Sequence, residues 1–163
     1  MEQEVLNEKI VSFLSEIKSF GWFENCGTPN EKYHLIFSLF DAVDCWGSQY
    51  IETWEPPIYA LESTAQKEIG DDKISEIFNS VSAAIGSIVW DDLWKFIDEK
   101  NLGEETGVCL EVLEMVKRDM AWACVEKVLD MPVFFTMLTE IYKEGHFPCS
   151  WDGIYPSGLA VVL

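Results

Sequence analysis

The sequence predicts a mainly α, compact single domain of six or seven helices, ending in a short extended or hairpin segment. Three observations predict it. Apolar residues recur at helical spacing along most of the chain; Gly and Pro punctuate these runs where helix ends are expected; and the last 18 residues abandon the pattern. A length of 163 residues suits one core, and 48% hydrophobic with 25% charged residues is the balance of a folded chain. No internal repeat, linker or composition shift divides residues 1–163, so one domain is expected, with 146–163 as an extended segment docked on the helices.

The elements follow in order. Val5, Leu6, Ile10, Phe13, Leu14 and Ile17 form a first apolar stripe, stopped by Gly21. After a loop through Pro29, Asn30 is placed to cap a second helix carrying His34, Leu35, Ile36, Leu39, Phe40 and Val43, ended by Gly47. Residues 48–57 read as an irregular connection. Pro57 suits the first turn of a third helix through Tyr59, Leu61 and Ala65 to Gly70. Asp71 or Asp72 is placed to cap a fourth, with Ile74, Ile77, Phe78, Val81 and Ile85 apolar; Gly86 marks a kink or division before Ile88, Val89, Leu93, Trp94 and Ile97. Gly103 breaks the chain, and a long helix is expected from Glu104 or Glu105 to Leu129. Pro132 opens the next, through Phe134, Phe135, Leu138, Ile141 and Tyr142 to Gly145. Beyond it, prolines and glycines forbid a helix, and Asp152-Gly153 is a hairpin-turn signal. The apolar run Leu159–Leu163 is costly to leave in water.

Charge narrows the function. The chain carries 29 acidic and 11 basic residues, a net −18. The excess is not a tail: acids outnumber bases by 3, 5, 4 and 6 over residues 1–30, 31–70, 71–100 and 101–163. Such a surface repels phosphate backbones and anionic lipid, which argues against nucleic-acid and membrane partners, and it steers basic partners inward. High solubility is the plainer consequence of the same charge. Five cysteines (Cys26, Cys45, Cys109, Cys124, Cys149) are an odd number without a CxxC pair, and the acidic N-terminus lacks a signal-peptide pattern. A cytoplasmic location is the expectation.

Catalytic chemistry finds little footing. His34 and His146 are the two histidines, and neither sits in a recognisable nucleophile setting, although Cys149 follows His146 by three residues. The carboxylate pairs Asp41/Asp44, Glu52/Glu55, Asp71/Asp72 and Asp91/Asp92 arise readily by chance among 29 acids, and none matches a metal motif. No glycine-rich phosphate loop occurs. The expectation is a non-catalytic protein with no metal and no cofactor. A helical adaptor or oligomerising protein, with a small carboxylate-dependent enzyme behind it, is the alternative; the oligomeric state stays open.

Seven tryptophans are the remaining oddity. Helical spacing assigns Trp90, Trp94 and Trp122 to the core. Trp54, between Glu52 and Glu55, reads instead as an interface anchor among acids, and Asp44-Cys45-Trp46 and Trp151-Asp152 repeat the juxtaposition.

The segment Gly145-His146-Phe147-Pro148-Cys149-Ser150-Trp151-Asp152-Gly153-Ile154-Tyr155-Pro156-Ser157-Gly158 resembles a GxxPCGWxGxYPxG ending of small acidic bacterial proteins, some of which look like immunity proteins of polymorphic or contact-dependent toxin systems. Ser150 stands where that pattern has glycine. The resemblance implies a cytosolic, non-catalytic protein that occludes a basic toxin domain, commonly a nuclease, and it brings no site residues with it. The residues expected to bind such a partner come from the acid-flanked aromatics above: Asp41, Asp44, Trp46, Glu52, Trp54 and Glu55.

Overall fold

The computed structural model describes residues 2–24, 34–38, 55–99, 101, 103–131, 135–145, 150–151 and 158–162. The chain is mainly helical. Five α-helices occur among the described residues: α1 (Gln3–Lys18), α2 (Glu55–Glu68), α3 (Asp71–Glu99), α4 (Thr106–Leu129) and α5 (Phe135–Lys143), with a 3-10 turn at Gly103–Glu105 before α4.

α4 is the centre. Met120 to Glu126 are buried without interruption, as happens only when a helix is covered on every side, and α4 packs against α1, α2, α3 and α5. The outer helices are one-sided. α1 buries Leu6, Ile10, Phe13 and Ile17, whereas Val5, expected in that stripe, is 41% exposed. α2 buries Leu61 and Ala65 and leaves Tyr59 outside. Each fully buried Leu, Ile or Phe side chain contributes roughly 1.5–3 kcal/mol.

α3 runs unbroken through Gly86, so the helix is not divided there. Its buried residues are Lys73, Ile77, Val81, Ile85, Val89, Leu93 and Ile97, one every fourth position, with Phe96 beside the last of them. Four residues advance a helix by about 40° more than a full turn, so this stripe winds around α3. At the first end Lys73 reaches α1, donating to Asn7 Oδ1 (2.9 Å). At the other, Phe96 meets Phe23 in the turn after α1, ring centroids 5.5 Å apart. Gly70, at φ +85°, takes the left-handed conformation that reverses the chain between α2 and α3. Its carbonyl accepts from Ile74 N (3.1 Å), which makes Gly70 the residue before the helix and places Asp71 and Asp72 in the first turn, where carboxylates suit the helix dipole.

α5 is held by a borrowed cap. Glu126 of α4, fully buried, accepts from Phe135 N (2.8 Å), Thr136 N (2.8 Å) and Thr136 Oγ1 (2.9 Å). It thereby satisfies backbone N–H groups at the start of α5 that have no partner within the helix. Gly145, at φ +89°, closes this helix as expected.

Three strands complete the description: β1 (His34–Ser38), β2 (Ser150–Trp151) and β3 (Gly158–Val162). β3 lies between the others and pairs antiparallel with both, His34 opposite Val162 and Trp151 opposite Leu159. This corrects the expected second helix. A short apolar run such as His34–Ser38 has no decisive period of its own, and its pairing partner lies at the far end of the chain, beyond local pattern reading. The described parts of the expected extended C-terminal segment, Ser150–Trp151 and Gly158–Val162, are strands, with β1 as the partner that composition did not reveal. The expected docking of Leu159–Leu163 on the helices concerns side chains outside the described residues.

Candidate functional site

Of the six expected partner-binding residues, the structure places one. Glu55 is the first residue of α2. Asp41, Asp44, Trp46, Glu52 and Trp54 lie outside the described residues, as do His146 and Cys149.

The described residues nevertheless hold an aromatic surface set among acids, on the last third of α3. Trp90 is 47% exposed, which corrects its assignment to the core. The physical reason is rotation: Val89 and Leu93 continue the buried stripe, and a neighbour one position on lies about 100° around the helix. Trp90 packs edge-on against half-buried Trp94, centroids 5.6 Å apart, instead of entering the core. Asp91 and Asp92 beside it are both exposed. Trp122, by contrast, is buried as expected, against Phe78 and Phe135.

Next to this surface the turn after α1 meets α3 and leaves a cleft of about 420 Å³. Buried Trp22 and Phe96 and part-buried Phe23 form its floor; Glu24, Asp92, Lys95 and Glu99 form its rim. The turn is fixed tightly. Trp22 Nε1 donates to the Ile17 carbonyl (3.0 Å) at the end of α1, and the Trp22 ring stacks on Tyr142 at 6.1 Å. Phe23 adopts φ +65°, a conformation unfavourable for a bulky side chain, and thereby lays its ring against Phe96. Glu24 folds back so closely that a Cβ added at Gly21 would stand 2.5 Å from its Oε2.

Where the bases go decides the electrostatics. Lys9 donates to the Val128 carbonyl (3.2 Å), Lys127 pairs with Glu16, Lys73 bonds Asn7 and Glu76, and Lys117 pairs with Glu114. These lysines join helices or neutralise neighbours. A groove of about 520 Å³ between α1 and the α4–α5 junction therefore has both its lysines, Lys9 and Lys127, already engaged. The α3 cleft differs. Its one base, Lys95, is 73% exposed and lies 3.9 Å from Glu99, a loose surface pair worth little.

Two cysteines, Cys109 and Cys124, are described, and both are buried. Burial pushes the Cys124 thiol up to about 12 against a small opposing pull from Lys127, which keeps it protonated and unreactive. Among the described residues no group of three or more His, Cys, Asp or Glu is arranged to hold a metal ion, and no helix is long and apolar enough to cross a membrane.

Sequence reasoning passed over Trp90 and the cleft. The signal was present in Trp90-Asp91-Asp92, the same aromatic–acid juxtaposition noted around Trp54, but helical spacing with Trp94 assigned it inward. No family model matches the chain, and neither a curated protein nor a solved structure matches it.

Proposed function

We propose that this chain neutralises a basic protein, a toxin domain of the nuclease type, by binding and covering it without catalysis. One observation carries the reading: a large aromatic, Trp90, stands in solvent beside Asp91 and Asp92 on a chain of net −18, four of whose described lysines (Lys9, Lys73, Lys117 and Lys127) are engaged in bonds within the chain. Exposed aromatics provide the dehydrated centre of a protein interface, and surrounding carboxylates accelerate encounter with a cationic partner. The residues Asp41, Asp44, Trp46, Glu52, Trp54 and Glu55 belong to the same proposal as a second acidic-aromatic stretch.

The test is titration of the purified chain against the basic domain encoded beside it in its native host. A stoichiometric complex that blocks the domain's activity, and weakens between about 50 and 500 mM salt, is expected. Absence of a basic partner, or turnover of a substrate by this chain alone, overturns the reading in favour of an adaptor or an enzyme.

A further inference from the structure

We infer that the cleft between the turn after α1 and the last turns of α3 receives an arginine side chain from the basic partner. This rests on the proposed binding of such a partner and names the place and the chemistry. Three features converge. The floor, made by Trp22, Phe23 and Phe96, offers aromatic carbon against which a flat guanidinium packs. The lining also includes the acidic residues Glu24, Asp92 and Glu99, whose carboxylates accept from a group with five N–H donors. A volume of about 420 Å³ accommodates one long side chain.

The end of α3 supplies a fourth, independent feature. A helix C-terminus carries partial negative charge and favours a cation there. Lys18, Lys67, Lys127 and Lys143 occupy the last turns of α1, α2, α4 and α5. α3 has no base in its last turn, and Asp98 and Glu99 stand there instead; Lys100, the next residue, lies outside the described residues. A guanidinium in the cleft brings positive charge to a last turn that, through Glu99, holds carboxylates and no base. The nearest internal cation, Lys95, is held only by the loose contact to Glu99 and is displaced or competes.

The probe is a hexa-arginine peptide, with hexa-lysine beside it, titrated into the full chain at low salt and followed by the indole N–H resonances of the tryptophans. Hexa-arginine is expected to move the Trp22 signal and to bind several-fold tighter than hexa-lysine. Asp92→Asn with Glu99→Gln is expected to weaken it about tenfold, and Lys95→Gln to tighten it by removing the competitor. Gly21→Ala, which drives the flexible end of Glu24 out of its place, is expected to weaken it as well. Thermal unfolding of each variant checks that the fold is kept. Binding that leaves Trp22 and the variants unaffected overturns the cleft while the basic-partner reading stands. Equal affinity for hexa-lysine overturns the guanidinium assignment. No binding at low salt overturns the cleft, and titration with the native basic domain then decides the wider reading separately.

Discussion

The first two-thirds of α3 and its last third belong to one continuous helix with one continuous buried stripe, yet their outer faces differ. From Asp71 to Val89 the exposed positions are Asp71, Asp72, Ser75, Glu76, Asn79, Ala83 and Ser87, with the carboxylates confined to the start of the helix and small or uncharged residues after them. From Trp90 onward they are Trp90, Asp91, Asp92, Lys95, Asp98 and Glu99. Packing explains the inward stripe in both parts and the small outward residues in the first. It does not explain a half-exposed indole among carboxylates. The difference teaches that burial shapes the helix along its whole length, and that its last third carries an outer face which the proposed function assigns to recognition.

The comparison breaks most visibly on the inward side. Ile85→Ala removes a fully buried side chain between α3 and the rest of the core, and a loss of about 3 kcal/mol in chemical denaturation is expected. A loss below about 1 kcal/mol would mean that the stripe is not packed as described. Glu126→Ala takes the cap from α5 and leaves the N–H groups of Phe135 and Thr136 without their acceptor; about 2 kcal/mol is expected, read as a lowered unfolding midpoint.

A smaller effect follows from Cys124. Its thiol titrates near 12 when folded and near the ordinary 9.0 when unfolded, so the folded state holds the proton more firmly. The stabilisation is fully present below pH 9 and is lost as pH rises through the interval from 9 towards 12. Relative to Cys124→Ala, the native chain should therefore lose stability more steeply over that interval; parallel curves would show that burial of the thiol is incomplete. The smallest effect belongs to the outer face. Trp90→Ala should change stability by no more than about 0.5 kcal/mol, because Trp90 packs only edge-on against Trp94 and solvent covers much of it.

Helical periodicity made most of this fold legible. The buried residues of α1 and the apolar stripe of α3 are those whose spacing repeats, and Gly70 and Gly145 mark the helix ends they were read to mark. What stayed hidden depends on distant parts of the chain. His34–Ser38 is a strand because Gly158–Val162 pairs with it, and Glu126 is a cap because Phe135 and Thr136 come within reach in three dimensions. The acid–aromatic chemistry of the proposed site was legible as a type, but its place was not. Trp90 and Trp94 are four residues apart, which marks one face of a helix without saying which face meets the core.

The division of α3 into an inward stripe and a recognising end is tested most directly by measuring one variant two ways. Trp90→Ala combined with Asp92→Asn should unfold at the native temperature to within a few degrees, yet bind the basic partner domain at least about tenfold more weakly, with a shallower dependence on salt. Affinity and salt dependence equal to those of the native chain would contradict it, and so would a variant that loses its fold and its binding together.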